Sequence, residues 1–288
     1  MKFVKMHGCG NDYVYVNGFI ENIENPEEVA VKVSDRRFGI GSDGLIIIKP
    51  SKAADFFMDM YNADGSRGKM CGNGIRCVGK YVYDLGMTEK STVKIETLSG
   101  IKTLELDIKN GRAVGAKVDM GAPILEAVKI PVNVKAAAFG GADISENDRI
   151  IGRTVKVDGR EEKITCVSMG NPHAIIYVDD VETAPVHSFG PKMECCELFP
   201  EKANIEFVQL ISPKEIRMRV WERGSGETWA CGTGACASAV ACILNGFTED
   251  EVLVHMNGGD VVIKYDRENN TVFMSGPAEI VFVGEIKL

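Results

Sequence analysis

The chain has 288 residues, of which 45% are hydrophobic and 26% are charged, with a formal net charge of −8 and a sequence pI near 5.2. This balance is typical of folded domains and excludes a disordered or fibrous protein, and the length favours two domains. The excess of acidic residues argues against nucleic acid or an anionic membrane as a partner, because both require basic patches.

Two further features of the sequence bear on the cellular compartment of the protein. The amino terminus lacks the apolar run of a signal peptide, and no run of about 18 apolar residues occurs, so we expect a cytoplasmic protein. The nine cysteines form an odd set without a Cys-x-x-Cys pair. They are therefore expected to be mostly free thiols, with no metal site.

In chain order, the first strong pattern is a strand, a glycine-rich loop and a helix. Residues 56–61 are rich in strand formers, and residues 62–70 form the loop before Cys71-Gly72-Asn73-Gly74. After these residues the spacing of apolar side chains becomes that of a helix, and the helix is expected to end at Gly86. The residues that share one face of this helix are Ile75, Val78, Val82 and Leu85.

The middle of the chain contains short strands and a domain boundary. Residues 92–97 and 103–108 are predicted strands, and a Gly-Ala-Pro turn within residues 119–123 interrupts the pattern. Residues 135–148 are predicted to be a loop insertion. We therefore expect a first domain of residues 1–118 plus about 275–288, and a second domain of residues 119–274.

The second half repeats the first pattern. Residues 205–210, 216–221 and 261–265 are predicted strands, and residues 222–230 form a loop before Cys231-Gly232-Thr233-Gly234. The helix that follows is apolar on all sides except at Ser238, which predicts that it is buried inside its domain.

The two patterns share one register. The offset is 231 − 71 = 160, and at this offset Tyr61 matches Trp221, Asn62 matches Glu222, and Gly86 matches Gly246. The duplication predicts an α/β protein of the α+β type with two pseudo-symmetric domains. Each domain is expected to be a curved mixed sheet or barrel around a central helix, with the active site in the cleft between the domains.

A cysteine at such a helix start has a defined electrostatic setting. Free backbone N–H groups and the helix dipole favour its thiolate, and the same N–H groups bind carboxylates. Inversion of a carbon centre by proton transfer requires one group on each face, since a single base returns the original isomer. Cys71 and Cys231 are therefore predicted to perform such an inversion. The alternative is that both are small buried hydrophobic residues.

The motifs resemble those of the diaminopimelate epimerase family over nearly the whole chain. The matching stretches are His7-Gly8-Cys9-Gly10-Asn11-Asp12, residues 36–44, Asn62-Ala63-Asp64-Gly65-Ser66, residues 70–77, Gly170-Asn171-Pro172-His173-Ala174, residues 199–204, and the segment from Glu222 to Gly234. The resemblance implies conversion of LL- to meso-diaminopimelate in lysine and peptidoglycan precursor biosynthesis, without a cofactor or metal, by a homodimer.

The resemblance also implies roles for individual residues. Cys71 and Cys231 are the expected proton donors and acceptors, and His173 with Glu222 is expected to manage the thiol protons. Arg223 is suited to a bidentate pair with the distal carboxylate of the substrate. The full set expected to bind the substrate is Asn11, Asn62, Gly72, Asn73, Asn171, Asn204, Glu222, Arg223, Gly232 and Thr233. Arg67 and Lys69 are hypothesised to lower the pKa of Cys71.

Four alternatives remain open from the sequence. A proline or hydroxyproline racemase has the same two-thiol arrangement, and an isomerase of the phenazine-pathway type shares the architecture but uses an acidic base. A non-catalytic binder of amino acids would use the same helix starts without turnover. A thiol-disulfide redox protein is the fourth, although redox cysteines are usually close in sequence.

Overall fold

The computed structural model describes all 288 residues, and the chain forms two compact units. Unit 1 comprises Met1–Asp119 and Ser275–Leu288, and unit 2 comprises Met120–Met274.

The elements up to the boundary are one short peripheral helix, one buried helix and eight strands. They are β1 (Lys2–Gly8), β2 (Asn11–Asn17), α1 (Pro26–Ser34), β3 (Gly44–Lys49), β4 (Phe56–Asn62), β5 (Arg67–Gly68), α2 (Gly72–Asp84), β6 (Thr92–Thr97), β7 (Gly100–Lys109) and β8 (Arg112–Gly121).

The elements after the boundary follow a similar order. They are β9 (Arg153–Val157), β10 (Arg160–Ser168), β11 (Pro172–Tyr177), α3 (Val186–Glu194), β12 (Asn204–Ser212), β13 (Glu215–Glu222), β14 (Gly226–Thr228), α4 (Gly232–Leu244), β15 (Glu251–Met256), β16 (Gly259–Asp266), β17 (Thr271–Pro277) and β18 (Glu279–Glu285). Three short 3₁₀ helices are also present: Ala127–Lys129, Ala137–Phe139 and Val181–Thr183.

The sheet of unit 1 is mixed and curves around α2. β1 pairs antiparallel with both β18 and β2, β2 pairs parallel with β3, and β3 pairs antiparallel with β4. β4 pairs parallel with β6, which continues antiparallel to β7 and β8. Because α2 contacts β1, β2 and also β7, strands from distant parts of the sheet pack on the same helix.

Unit 2 has the same pairing pattern. β10 pairs antiparallel with β9 and β11, β11 pairs parallel with β12, and β12 pairs antiparallel with β13. β13 pairs parallel with β15, which pairs antiparallel with β16. The central helix α4 contacts strands from β10 to β16 and is buried along almost its entire length, as its apolar sequence predicts.

These topologies confirm the duplication and the predicted fold class. In each unit, an antiparallel pair is followed by a parallel pair, an antiparallel pair and a second parallel crossover, with the helix inserted before that crossover. Gly86 and Gly246 follow the two central helices with φ of 69° and 73°, the left-handed conformation that ends a helix. The predicted strands all lie within observed strands.

The second face of each sheet is covered differently. In unit 1, α1 packs on β3 and β4 over a core that includes Val14, Leu45 and Ile47. In unit 2, α3 covers this face together with the segment predicted as a loop insertion, whose Phe139 and Ile144 are buried in the same core. The insertion is irregular, but its apolar side chains complete a hydrophobic core.

None of the helices combines the length and the apolar character needed to cross a membrane.

Candidate active site

Cys71 begins the central helix of unit 1. Its backbone is extended, with φ of −132° and ψ of 119°, and its sulfur accepts the N–H of Gly74 at 3.3 Å, so it is the N-cap of α2. The helix behind it is buried, whereas Cys71 itself is only partly buried. The start of a buried helix therefore lies beside a thiol that is partly accessible to solvent.

Asn11 connects Cys71 to a carboxylate. The thiol of Cys71 donates to Oδ1 of Asn11 at 3.2 Å, and Nδ2 of Asn11 donates to Asp43 at 2.8 Å. Asp43 also accepts the backbone N–H of Asp12 and pairs with Arg36 at 2.9 Å. Burial, followed by the charge of Asp12, raises the pKa of Asp43. Asp43 thus orients the Asn11 amide with its oxygen toward the sulfur.

Arg67 is engaged with another residue. Its guanidinium pairs with the buried carboxylate of Asp59 at 2.7 Å, and Lys49 pairs with the same carboxylate. The hypothesis that Arg67 contributes its charge to Cys71 therefore has no support in this geometry. Asn62 ends β4, and its amide donates to Ser66 Oγ at 2.9 Å within the turn that follows.

The first turn of α2 contains a buried arginine that sequence analysis missed. Arg76 has no exposed surface, and it donates to Gly72 O at 3.2 Å and to Asn73 Oδ1 at 3.0 Å. It also donates to Pro277 O at 3.1 Å, which ties α2 to the returning end of the chain. The Asn73 side chain is buried, and its amide oxygen is bonded to Arg76.

Cys231 occupies the equivalent position in unit 2. It is the N-cap of α4, with φ of −115° and ψ of 105°, and its sulfur accepts the N–H of Gly234 at 3.4 Å. Thr233 Oγ1 lies 3.6 Å from the same sulfur. A side chain on Gly234 would be excluded, because its Cβ would lie 2.8 Å from Glu206 Oε1 and 3.2 Å from the sulfur.

The predicted preference for thiolate is wrong at Cys231. Burial, followed by the carboxylates of Glu222 and Glu206, raises the pKa of Cys231 well above its ordinary value. The hydrogen bonds from Thr233 and Gly234 act in the opposite direction but do not compensate. Desolvation at this helix start therefore outweighs the helix terminus.

Glu222 lies beside Cys231 at the end of β13. The hydroxyl of Thr228, across the β13–β14 turn, donates to Glu222 Oε1, and the thiol of Cys231 is another hydrogen-bond partner of this carboxyl. Burial raises the pKa of Glu222, so its proton affinity is closer to that of a thiol. Glu222 and Cys231 are therefore brought together as predicted.

His173 and Asn171 are linked to the same cysteine by a series of hydrogen bonds. The His173 ring is fully buried, with Nδ1 2.6 Å from Glu206 Oε1 and Nε2 3.0 Å from Asn171 Oδ1. Asn171 Nδ2 donates to Thr233 Oγ1 at 3.3 Å. His173 therefore reaches Cys231 through Asn171 and Thr233.

Asn204 and Arg223 are linked through the backbone. The buried Asn204 amide donates to Pro172 O at 2.9 Å and accepts the N–H of Arg223 at 2.9 Å. The exposed guanidinium of Arg223 donates to Glu201 O at 3.0 Å through Nη1, one of its five N–H donors. Asn204 thus holds two loops together, and Arg223 extends from one of them.

Sequence analysis missed three polar residues of these sites: Asp43, Arg76 and Glu206. Glu206 gives the clearest signal, because a single carboxylate interrupts the apolar run of β12 at a fully buried position. No group of three or more His, Cys, Asp or Glu side chains is arranged to hold a metal ion.

Solved structures define the class of fold. A phenazine biosynthesis protein of the PhzF family from Bacillus anthracis matches with a TM-score of 0.71 and 17% identity, covering 100% of this chain and 99% of that one. A probable proline racemase from Agrobacterium radiobacter matches with a TM-score of 0.72 and 13% identity, covering 100% and 93%. The chain has the duplicated α+β fold of this class, in which each half is built around one central helix.

Comparisons of sequence narrow the class to a family. The model of the family described as diaminopimelate epimerase matches residues 3–126 and 165–281. Proteins named diaminopimelate epimerase from Acetivibrio thermocellus and Agathobacter rectalis are 56% and 55% identical, covering 100% of this chain and 99% and 100% of theirs. A third, from Methanococcus maripaludis, is 52% identical over its full length. The chain belongs to the diaminopimelate epimerase family.

Proposed function

We propose that this protein interconverts LL- and meso-2,6-diaminopimelate by two-base proton transfer between Cys71 and Cys231. The observation that carries this proposal is the repeated geometry of the two thiols. Each is the N-cap of a buried helix, and each sulfur accepts the N–H of the third residue after it. The reaction supplies a precursor for lysine and peptidoglycan biosynthesis.

Two thiols are required because inversion removes the α-proton from one face and delivers a proton to the other. In each direction one cysteine acts as thiolate base and the other as thiol acid, and their roles exchange in the reverse direction. General acid–base catalysis of this kind contributes about 10² to 10⁴ in rate. The raised pKa of Cys231 suits the role of proton donor in the resting enzyme.

The helix starts supply the electrostatic stabilisation that the reaction needs. Removal of an α-proton places negative charge on the α-carboxylate, and preorganised N–H donors stabilise that charge. We assign this binding to the backbone at Gly72, Asn73, Gly232 and Thr233, where α2 and α4 begin. The buried guanidinium of Arg76 adds positive charge behind the first of these sites.

The distal end of diaminopimelate carries a second carboxylate and ammonium group. Arg223 is exposed and offers a planar fork of donors for that carboxylate, and its backbone is fixed by Asn204. Asn11, Asn62 and Asn171 complete the proposed set with amide groups around the two thiols. Asn204 acts in this scheme by positioning the Arg223 loop.

The sequence relatives favour this function over a proline racemase. The relatives of 46% to 56% identity are named diaminopimelate epimerase, whereas the proline racemase is similar at 13% identity, which supports only a shared fold. Retention of both thiols and both helix starts also argues against a non-catalytic binder. Cys71 and Cys231 are far apart in the sequence, whereas redox proteins usually keep their two cysteines close together.

The test is epimerisation of LL-diaminopimelate by the purified protein without added cofactor, with L-proline in parallel. We expect turnover of diaminopimelate alone, and a loss of at least about a hundredfold in kcat for Cys71→Ser and for Cys231→Ser. The control is Cys195→Ser, at an exposed cysteine outside the site, which should keep full activity. Wild-type rates in either active-site variant would refute the mechanism.

We also propose that the protein is a homodimer of the cytoplasm. Nine free thiols suit a reducing compartment. β18 pairs with β1 and carries a run of exposed apolar side chains at Val281, Phe282 and Val283. Proteins normally cover an exposed apolar strand of this kind. We propose that a second copy of the chain covers it. No nucleic acid or membrane partner is proposed.

A further inference from the structure

A chain of hydrogen-bonding groups runs from a buried carboxylate to the sulfur of Cys231, entirely within unit 2. It begins at Glu206, which has no exposed surface, and passes through the fully buried ring of His173 at 2.6 Å. It continues to Asn171 at 3.0 Å and to Thr233 at 3.3 Å. Thr233 Oγ1 lies 3.6 Å from Cys231 Sγ.

The direction of the hydrogen bonds in this chain follows from which atoms can only be acceptors. Nε2 of His173 faces Oδ1 of Asn171, an acceptor only, so Nε2 must carry a proton. Nδ1 faces a carboxylate oxygen of Glu206, so it shares a second proton with that oxygen. The other oxygen, Glu206 Oε2, is buried without a hydrogen bond. His173 is therefore the side chain that holds this buried carboxyl group by a hydrogen bond.

The hydrogen bonds at the Cys231 end of the chain run in the same direction, from donor to acceptor toward the sulfur. The Asn171 amide donates from Nδ2 to the oxygen of Thr233, so the hydroxyl proton of Thr233 is available to Cys231. The only other donor to this sulfur among the contacts described is the N–H of Gly234 at 3.4 Å. A thiolate at Cys231 is thus stabilised by two donors, one of which depends on the chain.

We propose that Glu206 is a positioning residue for the reaction: it fixes the His173 ring with Nε2 donating to Asn171, and the resulting chain directs the Thr233 hydroxyl toward the sulfur of Cys231. This inference rests on the proposed role of Cys231 as an acid/base thiol. The Glu222 carboxyl also lies near His173 and bonds to Cys231, so a second carboxyl group acts on the same sulfur directly.

Replacement of Glu206 by Gln removes the carboxyl group that fixes Nδ1 and permits the chain to reverse. A neutral His173 that donates from Nδ1 to the new amide oxygen leaves Nε2 as an acceptor facing another acceptor. The Asn171 amide must then turn so that Nδ2 donates to Nε2 and Oδ1 accepts from Thr233. The hydroxyl proton is withdrawn from the sulfur, although every residue except one is unchanged.

The direct test is ¹⁵N NMR of the imidazole nitrogens near neutral pH. The chain has four histidines, so the His173 signals can be assigned by elimination with single-site variants of the other three. We expect Nε2 of His173 to be protonated in the wild type and in Thr233→Val, and to be deprotonated in Glu206→Gln. A bare Nε2 in the wild type would overturn the proposal, whether or not the variants fold.

A kinetic cycle tests the consequence for turnover. Loss of one hydrogen bond to a charged group predicts a decrease in kcat of about ten- to a hundredfold for Glu206→Gln and for Thr233→Val, because both break one chain. The double variant should be no slower than the slower single variant. Wild-type kcat in Glu206→Gln, or losses that multiply in the double variant, would contradict the proposal.

Two further variants distinguish a failure of this proposal from a failure of the proposed function. Ser238→Ala changes another buried polar residue of α4 and should keep wild-type kcat, which controls for general damage to the core. Cys231→Ser tests the role of the thiol itself. Full activity in that variant would refute the proposed function, while the NMR result would still report on the chain.

Discussion

The two thiols occupy equivalent positions but have different surroundings. Cys71 is partly exposed and donates to an amide oxygen, whereas Cys231 is buried between two carboxyl groups. Near neutral pH, Cys231 therefore retains its thiol proton more strongly than an ordinary cysteine does. A helix start alone predicts the opposite, because that argument omits desolvation and the charges contributed by distant strands.

Glu222→Gln tests this electrostatic account. The substitution removes the nearest negative charge but leaves the burial, so we expect the pKa of Cys231 to fall while remaining above the ordinary value for a thiol. The measurement is the pH dependence of alkylation at Cys231, followed by mass spectrometry. Glu227→Gln, on the same hairpin but paired with Arg219, is the control and should leave the midpoint unchanged. A midpoint that stays or rises in Glu222→Gln would contradict the account.

Sequence alone could find the cysteines and not all of their partners. A cysteine before Gly-x-Gly is a local signal, and the helix that follows has its own periodicity. Asp43 and Glu206 act on residues 32 and 33 positions away in the chain, across strand pairings that no local pattern encodes. The partner of Arg67 was hidden for the same reason, since Asp59 lies on the paired strand.

At the scale of elements, α3 supports the hairpin that carries Glu222 and Arg223. Glu194, at the end of α3, is buried and accepts from Trp221 Nε1 at 2.8 Å and from Gly224 N at 3.1 Å. Gly190 lies so close to Trp221 that a Cβ there would be 2.7 Å from the Trp221 Cβ. The two bonds of Glu194 bracket the site residues on both sides in sequence.

Glu194→Ala should therefore be destabilising. It leaves the indole N–H and a backbone N–H without their acceptor, at a cost of about 1–3 kcal/mol for each donor that stays buried. The measurement is urea unfolding, with the exposed neighbour Glu201→Ala as a control that should remain within about 0.5 kcal/mol of wild type. Equal stability of the two variants would show that α3 does not support the hairpin in this way.

His255 links three strands of unit 2 and confers a pH dependence on stability. Its ring lies 2.7 Å from Glu215 on β13 and 2.8 Å from Asp260 on β16. Burial alone would lower the pKa of His255, but the bonds to Glu215 and Asp260 outweigh it and raise the pKa. Stability from a raised pKa is fully present below the ordinary value of about 6.5 and is lost as pH rises through the raised value.

His255→Gln should thus cost more at low pH than at high pH. Because the carboxylates are largely exposed, we expect only about 0.2–1 kcal/mol at about pH 6, and less at about pH 9. Urea unfolding of wild type and variant at both values gives the difference. A larger cost at the higher pH would have the wrong sign for this arrangement.

The elements themselves were largely predictable, because strands and helices of this chain carry local periodicity and the repeat places them twice. The role of residues 135–148 was not predictable. That segment has no period, and its Phe139 and Ile144 become part of a core only because α3 and the sheet leave an apolar surface for them. The conformation of an irregular segment of this kind is determined by the apolar surface that it covers.

At the scale of the whole molecule, the exposed run on β18 leads to a prediction about assembly. Val283 is 70% exposed, and a charge there should oppose association without entering the core of unit 1. We expect wild type to sediment as a dimer and Val283→Asp to shift toward monomer. Ile20→Asp, at an apolar residue that is 73% exposed elsewhere on the same unit, should remain dimeric. A monomeric wild type, or a fully dimeric Val283→Asp, would contradict the proposed interface.

The central claim is that separate groups remove and deliver the α-proton, and the most direct test follows solvent deuterium in the first turnovers. Unlabelled LL-diaminopimelate is incubated in deuterated water, and product and recovered substrate are analysed early in the reaction. Two bases predict deuterium at the inverted carbon of the meso product and none in the recovered LL isomer, since the first thiol can return only the proton that it removed. Retention of the substrate hydrogen in the product, or labelling of recovered substrate as fast as product forms, would contradict it.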